Sequence, residues 1–236
     1  MNTDAPFTHD DPIGISAELL DQIAERVDAL DRSGAVDLAL DAVADGRIEV
    51  ADLHTQVIGP FLAKIGSRWQ HGSERVWQEH FASHVARTIV EALYPTVARQ
   101  AALVPRLGRT VLLVCPPREE HELGLRMLSD RFELAGWDAI FLGADTPIDE
   151  IVAASVAVNA DLVALSVSTV FERMELRCFI DTLHEALAGT RIVIGGPAFS
   201  RDPGVWPANE LLDPAELGLP GSAPPCPAQP SSPAGA

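Results

Sequence analysis

The chain has 236 residues, of which 47% are hydrophobic and 22% are charged, which is enough for a packed core in one or two domains. Its formal net charge of −17 argues against unaided binding to nucleic acid, because a phosphate-binding surface needs clustered Lys and Arg. The sequence contains no apolar run long enough to span a bilayer and no signal-peptide pattern, so we expect a cytoplasmic protein without a membrane partner.

The first part of the chain is predicted to be helical. Residues 1–15 are polar and acidic and are predicted to be disordered, whereas residues 16–102 are predicted to form a four-helix bundle. Ser16 is a candidate N-cap for the segment AELLDQIAERVDAL, whose apolar residues recur at helical spacing. Gly59-Pro60 is expected to kink or split the third helix.

The second part, residues 110–202, alternates short apolar runs with helical segments. The strand candidates are VLLVC, DAIFLG, DLVALSVS and RIVIGG. Continuous apolar strands separated by helices are typical of a parallel sheet covered on both faces, which predicts a flavodoxin-like (Rossmann-type) α/β domain. Its ligands are expected at the carboxyl ends of the strands. Residues 203–236 are rich in Pro, Ala and Ser and are predicted to be mostly disordered.

The segment PREEHELG directly after the first strand carries the most informative residues. It places Glu119, His121 and Gly124 in the order E-x-H-x-x-G, in a loop that leads into a helix. A neutral imidazole is a good ligand for a transition metal, and a nearby carboxylate that accepts the other ring N–H raises its basicity. Gly124 would let the helix start approach a bulky ligand.

Together with residues on the later strands, this loop resembles the cobalamin (vitamin B12)-binding domains, whose signature is D-x-H-x-x-G followed by a serine motif and a Gly-Gly pair. The resemblance implies that His121 is the lower axial ligand to cobalt and that Glu119 stands where the family usually has Asp. It also implies a tunnel for the dimethylbenzimidazole tail of the cofactor. The implied cofactor-binding residues in this part of the chain are Glu119, His121, Glu122, Leu123, Gly124, Ser166, Ser168, Gly195 and Gly196.

A second group of residues lies in the helical part. Trp69 is followed after nine residues by Glu79 and His80. This W-x9-E-H pattern resembles the cap of light-sensing adenosylcobalamin regulators of the CarH and LitR type, where the tryptophan packs on the adenosyl group and the Glu and His hold and shield it. An indole offers a flat apolar surface to a nucleoside, and a carboxylate can bind ribose hydroxyls. Adenosylcobalamin, with its cobalt, is therefore the expected cofactor.

Three departures from this pattern leave questions open. The position after the tryptophan is Gln70 rather than histidine, so His71, His80 or water could take the upper cobalt site once the adenosyl group has left. After the Gly-Gly pair, the fifth strand and last helix of the family are expected to be short, distorted or missing. Only about fifteen polar residues precede the predicted bundle, so no DNA-binding module and no direct contact with nucleic acid are expected.

The leading functional hypothesis is a light sensor without enzymatic activity. It would signal through a partner protein, with a separate transcription regulator as the natural candidate, or through a change in homo-oligomer. The alternatives are a corrinoid methyl-carrier subunit of a methyltransferase, a cobalamin storage protein, and a degenerate domain that has lost its cofactor. The W-x9-E-H pattern favours the sensor.

Overall fold

The structure is a computed structural model that describes residues 12–72, 75–168, 173–200 and 206–221. It begins with a helical cap. The cap consists of α1 (Pro12–Asp28), α2 (Arg32–Ala44), α3 (Val50–Asp52), a π-helical turn (Leu53–Ile58), α4 (Gly59–Gln70) and α5 (Val76–Ala101). The segments from α3 to α4 follow one another without a break, so the cap has four helical rods, as the sequence predicts. Its core is built from the apolar faces of these rods and includes Leu19, Ile23, Val27, Val57, Phe61, Ile65, Val85, Ile89 and Leu93.

The third rod is split where the sequence predicts, but by a π-helical turn ahead of Pro60. Proline has no N–H to donate to the preceding turn, and a wider turn lets the helix continue without that hydrogen bond. The N–H of Gly59 donates to His54 O, five residues back. The side chain of His54, which belongs to this turn, lies in the interior, where it is 2% exposed.

Two expectations about the start of the cap are wrong. Ser16 does not cap a helix, because α1 already includes Pro12, which suits a first turn since its missing N–H needs no partner there. The hydroxyl of Ser16 instead donates to Oε1 of Gln56 at 2.8 Å, which ties α1 to the π-helical turn. Residues 12–15, predicted to be disordered, belong to α1, and residues 1–11 lie outside the described residues.

A parallel α/β unit follows the cap. Its elements are β1 (Thr110–Val114), α6 (Leu123–Leu134), β2 (Asp138–Gly143), α7 (Ile148–Val158), β3 (Leu162–Ser166), α8 (Arg173–Ala186), β4 (Arg191–Gly195) and α9 (Pro197–Ser200). The strands form one parallel sheet in the order β2-β1-β3-β4, with Leu112 of β1 paired with Ile140 on one side and Val163 on the other. The predicted fold, a helical cap followed by a flavodoxin-like sheet, is confirmed.

Residues 206–221 differ from the predicted disordered tail. They contain a 3₁₀ turn (Ala208–Glu210) and a single bridge from Leu211 to Ile194 of β4, which is all that the described part of the chain has of a fifth strand. They are ordered because their leucines pack into the core between α6 and the sheet, where Leu219 is 4% exposed. The other residues of the predicted tail, 203–205 and 222–236, lie outside the described residues.

Helix α6 joins the cap to the α/β unit. It packs against α5, and Met127 on α6 belongs to the core cluster of the cap. The loop before α6, at the carboxyl end of β1, is thereby held close to α5. None of the helices in the described ranges combines the length and the hydropathy needed to cross a membrane.

Candidate functional site

The loop between β1 and α6 is fastened to the next loop along the sheet edge. Arg118 has a positive φ of 70°, and its N–H donates to Oδ1 of Asp145 at 2.7 Å. In return, the N–H of Asp145 donates to the carbonyl of Glu119 at 3.0 Å. These two hydrogen bonds fix the backbone on which Glu119 and His121 stand.

Glu119 is the fully buried centre of the site. Its Oε1 accepts hydrogen bonds from the backbone N–H of His121 at 2.9 Å and from Nδ1 of the same residue at 2.7 Å. Its Oε2 accepts from the backbone N–H of Ser168 at 2.6 Å, beyond the end of β3. Three N–H donors compensate the charge of a carboxylate that has lost its water.

The imidazole of His121 is oriented by that carboxylate. Because Nδ1 donates to Glu119, the neutral ring has Nε2 as the nitrogen available to a metal. The side chain of His121 is 66% exposed, whereas that of Glu119 is fully buried. A buried carboxylate behind an outward-facing imidazole is a good arrangement for ligating a metal at this edge of the sheet.

Glu122 lies one residue further on, at the start of α6, and connects three elements. Its Oε1 accepts from Nη1 of Arg87 on α5 at 3.0 Å, and its Oε2 accepts from the N–H of Ala144 at 3.0 Å. Gly143 has a positive φ of 86°, and a Cβ there would lie 2.5 Å from Oε2 of Glu122. The glycine therefore leaves room for the carboxylate at the end of β2.

The thiol of Cys115 lies next to the site and is poorly reactive. Cys115 is buried at the end of β1, with its Sγ 4.0 Å from the carbonyl of His121. Burial, reinforced by the charges of Glu119 and Glu122, raises the pKa of Cys115 to about 12. The thiolate form that ligates metals is therefore absent near pH 7, and the imidazole is the better donor here.

The serine motif and the Gly-Gly pair lie side by side at the same edge. Ser166 pairs with Gly195 in the β3–β4 register, and the N–H of Val167 donates to Gly195 O at 3.0 Å. Gly196 has a positive φ of 104°, and a Cβ there would overlap the carbonyl of Val167. Close approach of two backbones thus requires glycine at this position, while Ser168 contacts Glu119 through its main chain.

The two residues at the start of α6 have different surroundings. Leu123 is partly buried and packs against the core of the cap. Gly124 has no positive φ, and no atom lies within 4 Å of where its Cβ would be. Neither the backbone conformation nor a neighbouring atom in the described residues requires glycine at position 124. The open space beside Gly124 is available to a ligand.

The residues predicted on the cap lie at one end of it. Trp69 is in the last turn of α4 and is 47% exposed. Near the start of α5, Oε2 of Glu79 contacts Nδ1 of His80 at 2.6 Å, and Oε1 accepts from the hydroxyl of Ser83 at 2.7 Å. The ring of His71 is instead close to its own helix, with Nδ1 at 2.8 Å from Ser67 O.

The structure joins these two predicted groups through α5. Glu79 is in the first turn of this helix, and Arg87, two turns later, contacts the loop of His121 through Glu122. Arg87 was missed by the sequence reasoning. The spacing of four between Glu79, Ser83 and Arg87 would have placed it on the same helix face, but not against Glu122.

The set of donors fits a metal held in a macrocycle. The described residues contain no group of three or more His, Cys, Asp or Glu side chains able to hold a metal ion. A single oriented imidazole beside open space suits a metal that brings its other ligands with it. The cobalt of a corrinoid is such a metal.

A separate depression lies away from this edge. It has a volume of about 490 Å³ and is lined by Ala98, Ala101, Arg106, Glu133 and Asp138, among others. Asp138 begins β2, so the depression is at the amino ends of the strands. It contains none of the predicted site residues and plays no part in the site.

Comparison with protein families identifies both parts of the chain. A family model described as "B12 binding domain" matches residues 109–207, and a second model with the same description matches residues 19–94. The two matches cover the α/β unit and most of the helical cap.

Two curated relatives from Myxococcus xanthus are similar to the chain. "HTH-type transcriptional repressor CarH" is 31% identical over 144 residues, which are 61% of this chain and 46% of the relative. "HTH-type transcriptional repressor CarA" is 32% identical over 137 residues, which are 58% of this chain and 44% of the relative. The chain thus spans less than half the length of either relative.

Among solved structures, the monomethylamine corrinoid protein of Methanosarcina barkeri has a similar fold. It superposes with a TM-score of 0.66 at 16% identity, over 78% of this chain and 86% of the other. At this identity the likeness concerns the fold alone.

Proposed function

We propose that this chain, which belongs to the B12-binding proteins, is a light sensor. A B12-binding domain is matched in each of its two parts. In this proposal, adenosylcobalamin is held between the helical cap and the α/β unit. The observation that carries the proposal is the Glu119–His121 pair at the carboxyl edge of the sheet, with Nδ1 of the imidazole 2.7 Å from a buried carboxylate oxygen. In this proposal, His121 is the lower axial ligand to cobalt through Nε2.

The α/β unit supports the rest of a corrinoid site in the same proposal. Gly124 leaves open space beside the ligand, and Ser166 and Ser168 lie next to Gly195 and Gly196 at the neighbouring strand ends. These segments would bind the nucleotide tail of the cofactor.

On the cap, Trp69, Glu79 and His80 would bind the adenosyl group. The indole of Trp69 is 47% exposed although it is large and apolar, which favours contact with a ligand. Glu79 is held by Ser83 and by His80, so its carboxylate is oriented before any ribose hydroxyl arrives.

Bound adenosylcobalamin supplies a cobalt–carbon bond that light breaks. Trp69 and Glu79 would contact the adenosyl group only while it is bound, so the cap would favour one form of the site over the other, as a switch requires. The proposed output is a partner protein, such as a transcription regulator, or a change in oligomer, because a chain of net charge −17 is poorly suited to contact DNA directly. The two curated relatives are named as repressors, which supports a regulatory output.

The first test is to purify the protein in darkness with adenosylcobalamin and to record its absorption spectrum and its size before and after illumination. A bound spectrum that converts irreversibly, together with a change in assembly, is expected. Bound cofactor that reacts like free cofactor, without a change in assembly, would favour the methyl carrier or the storage protein. An unchanged spectrum in His121→Ala would contradict the ligand assignment.

The second test separates the adenosyl contact from general packing. Trp69→Ala should weaken the binding of adenosylcobalamin much more than that of hydroxocobalamin, because only the former carries an adenosyl group on cobalt. Trp77→Ala is the matched control, since Trp77 is also an exposed tryptophan of the cap, at 53%. Equal losses of affinity for both cobalamins in Trp69→Ala would contradict the proposed contact.

A further inference from the structure

The face of α5 that meets α6 carries charges that match those on α6. Arg87 and Glu91 are four residues apart on α5, and Glu122 and Arg126 are four residues apart at the start of α6. Arg87 pairs with Glu122 at 3.0 Å, and Glu91 pairs with Nε of Arg126 at 3.5 Å. The two pairs have opposite polarity, so they favour this register between the helices.

The first of these pairs contacts the loop of the proposed cobalt ligand. Glu122 is the neighbour of His121 in the chain and is also held by the N–H of Ala144. The loop is thus fixed at Glu119 by the sheet edge and at Glu122 by both the sheet edge and α5. Arg87 is the residue of the cap that contacts Glu122.

Arg87 also shares a helix with the proposed contacts to the adenosyl group. Glu79, Ser83 and Arg87 are spaced by four residues and therefore lie on one face of α5. Ser83 donates to Glu79 at 2.7 Å, at one end of this stripe, and Arg87 donates to Glu122 at the other. Glu79 and Arg87 are thus connected by one uninterrupted helical segment, and Arg87 contacts Glu122.

We propose that Arg87 is a positioning residue, which holds the loop of His121 against the same cap helix that carries Glu79 and His80. The proposal rests on the proposed function, because it concerns the ligand that His121 supplies to cobalt. It adds a direct connection between the two faces of the cofactor site. When α5 moves, the attachment of Glu122 to the cap is strained or lost, and the loop of His121 is held only from the sheet edge, through Glu119 and the N–H of Ala144.

The ion pair is suited to this role because it is partly exposed, with 42% of the Arg87 side chain and 22% of the Glu122 side chain accessible to solvent. Such pairs contribute little to global stability, so removing one leaves the protein folded. Arg87→Met keeps most of the aliphatic stem and removes the charge, and Arg87→Lys keeps the charge. Arg99→Met is the matched control, because Arg99 is in the last turn of α5 and donates to Thr96 on its own helix.

The first readout uses the cofactor-free protein. Amide hydrogen exchange in residues 116–124 and 143–146 should be faster in Arg87→Met by roughly 2- to 5-fold, as expected for the loss of one partly exposed ion pair. It should be close to the wild-type rate in Arg87→Lys and unchanged in Arg99→Met. Wild-type exchange rates in Arg87→Met would overturn the proposal.

The second readout is titration with hydroxocobalamin, followed by its visible spectrum. Arg87→Met should weaken binding by roughly 2- to 5-fold, because the loss of one partly exposed ion pair is felt at His121 only through the loop. In a His121→Ala background, Arg87→Met should have no further effect, because the residue acts through His121. Unchanged affinity in the single variant, or an equal loss in both backgrounds, would overturn the positioning role.

The two readouts separate this proposal from the proposed function. A wild-type protein that does not bind hydroxocobalamin would contradict the proposed function. The exchange measurement would still decide whether Arg87 restrains the loop.

Discussion

Nε2 of His54 lies 3.9 Å from Oδ2 of Asp130, and both side chains are buried where the π-helical turn of the cap meets α6. The other oxygen of Asp130 is held by Arg126. Neither ring nitrogen of His54, nor Oδ2 of Asp130, has a hydrogen bond of good geometry within the described part of the chain. The contact between the cap and the α/β unit therefore contains a polar pair that is buried and incompletely satisfied.

The pKa values of His54 and Asp130 are both shifted in the direction that favours the uncharged form of the side chain. Burial, aided by the nearby Arg126 and Arg131, lowers the pKa of His54 to about 4, against a smaller raising effect of the Met127 backbone. Burial raises the pKa of Asp130 to about 6, against the opposing effect of Arg126 and with some help from Glu133 and Glu91. The ring of His54 is neutral near pH 7, so the 3.9 Å contact is not an ion pair at that pH.

Replacing His54 should change how stability depends on pH. The pKa of His54 is lower in the folded than in the unfolded chain, so its contribution to stability is complete above about pH 6.5 and is lost as the pH falls towards 4. The free energy of unfolding of His54→Leu, taken relative to that of wild type, should therefore rise by about 2 kcal/mol as the pH falls from 7 to 5. Urea denaturation at the two pH values measures this change. His84→Leu, on the exposed face of α5, is the control, and an identical pH dependence of His54→Leu and wild type would refute the burial effect.

Replacing Asp130 should have the opposite sign. Its pKa is raised in the folded chain, so its contribution to stability is complete below about pH 4 and is lost as the pH rises through 6. Asp130→Asn cannot ionise, and its free energy of unfolding relative to wild type should rise by about 2 kcal/mol between pH 4 and pH 7. The exposed Asp37→Asn serves as the control. A difference between Asp130→Asn and wild type that stays constant over this range would contradict the prediction.

Gly196 should tolerate no side chain. Its φ of 104° is unfavourable for alanine, and a Cβ would overlap the carbonyl of Val167. Gly196→Ala should lower the free energy of unfolding by about 2 kcal/mol or more. Gly189→Ala isolates the backbone strain, because Gly189 has a φ of 100° and no atom within 4 Å of its Cβ position. If both variants lose the same stability, the close approach of Val167 has no cost.

Gly124 should show the reverse behaviour, since it is open to solvent and to ligand rather than constrained. Gly124→Ala should keep or slightly raise the free energy of unfolding, because alanine is the better helix former. It should weaken hydroxocobalamin binding by about 10-fold, because the methyl group enters the space proposed for the cofactor. Gly14→Ala in α1 is the matched control, with a Cβ position that is equally open. Wild-type affinity in Gly124→Ala would remove this residue from the proposed site.

The regular elements of the α/β unit could be predicted closely because the strands contain continuous apolar runs and because α7 is bounded by Pro147 and Asn159. The predicted DAIFLG strand and IDEIVAASVAV helix coincide with β2 and α7. Ser16 was predicted wrongly as an N-cap, because its partner Gln56 is 40 residues away. That residues 206–221 are ordered was missed because their leucines follow neither helical nor strand spacing. These leucines are buried only through their packing against α6 and the sheet.

The sequence by itself determined the type of fold and the edge of the sheet that carries His121, since both follow from local periodicity and from the chemistry of neighbouring residues. Only the tertiary structure decided which groups hold that histidine and how the cap reaches it. Ser168 contacts Glu119 across 49 residues, and Arg87 contacts Glu122 across 35 residues. Such contacts depend on how helices and strand ends pack, and that packing is the outcome of burying the whole apolar surface rather than of any local pattern.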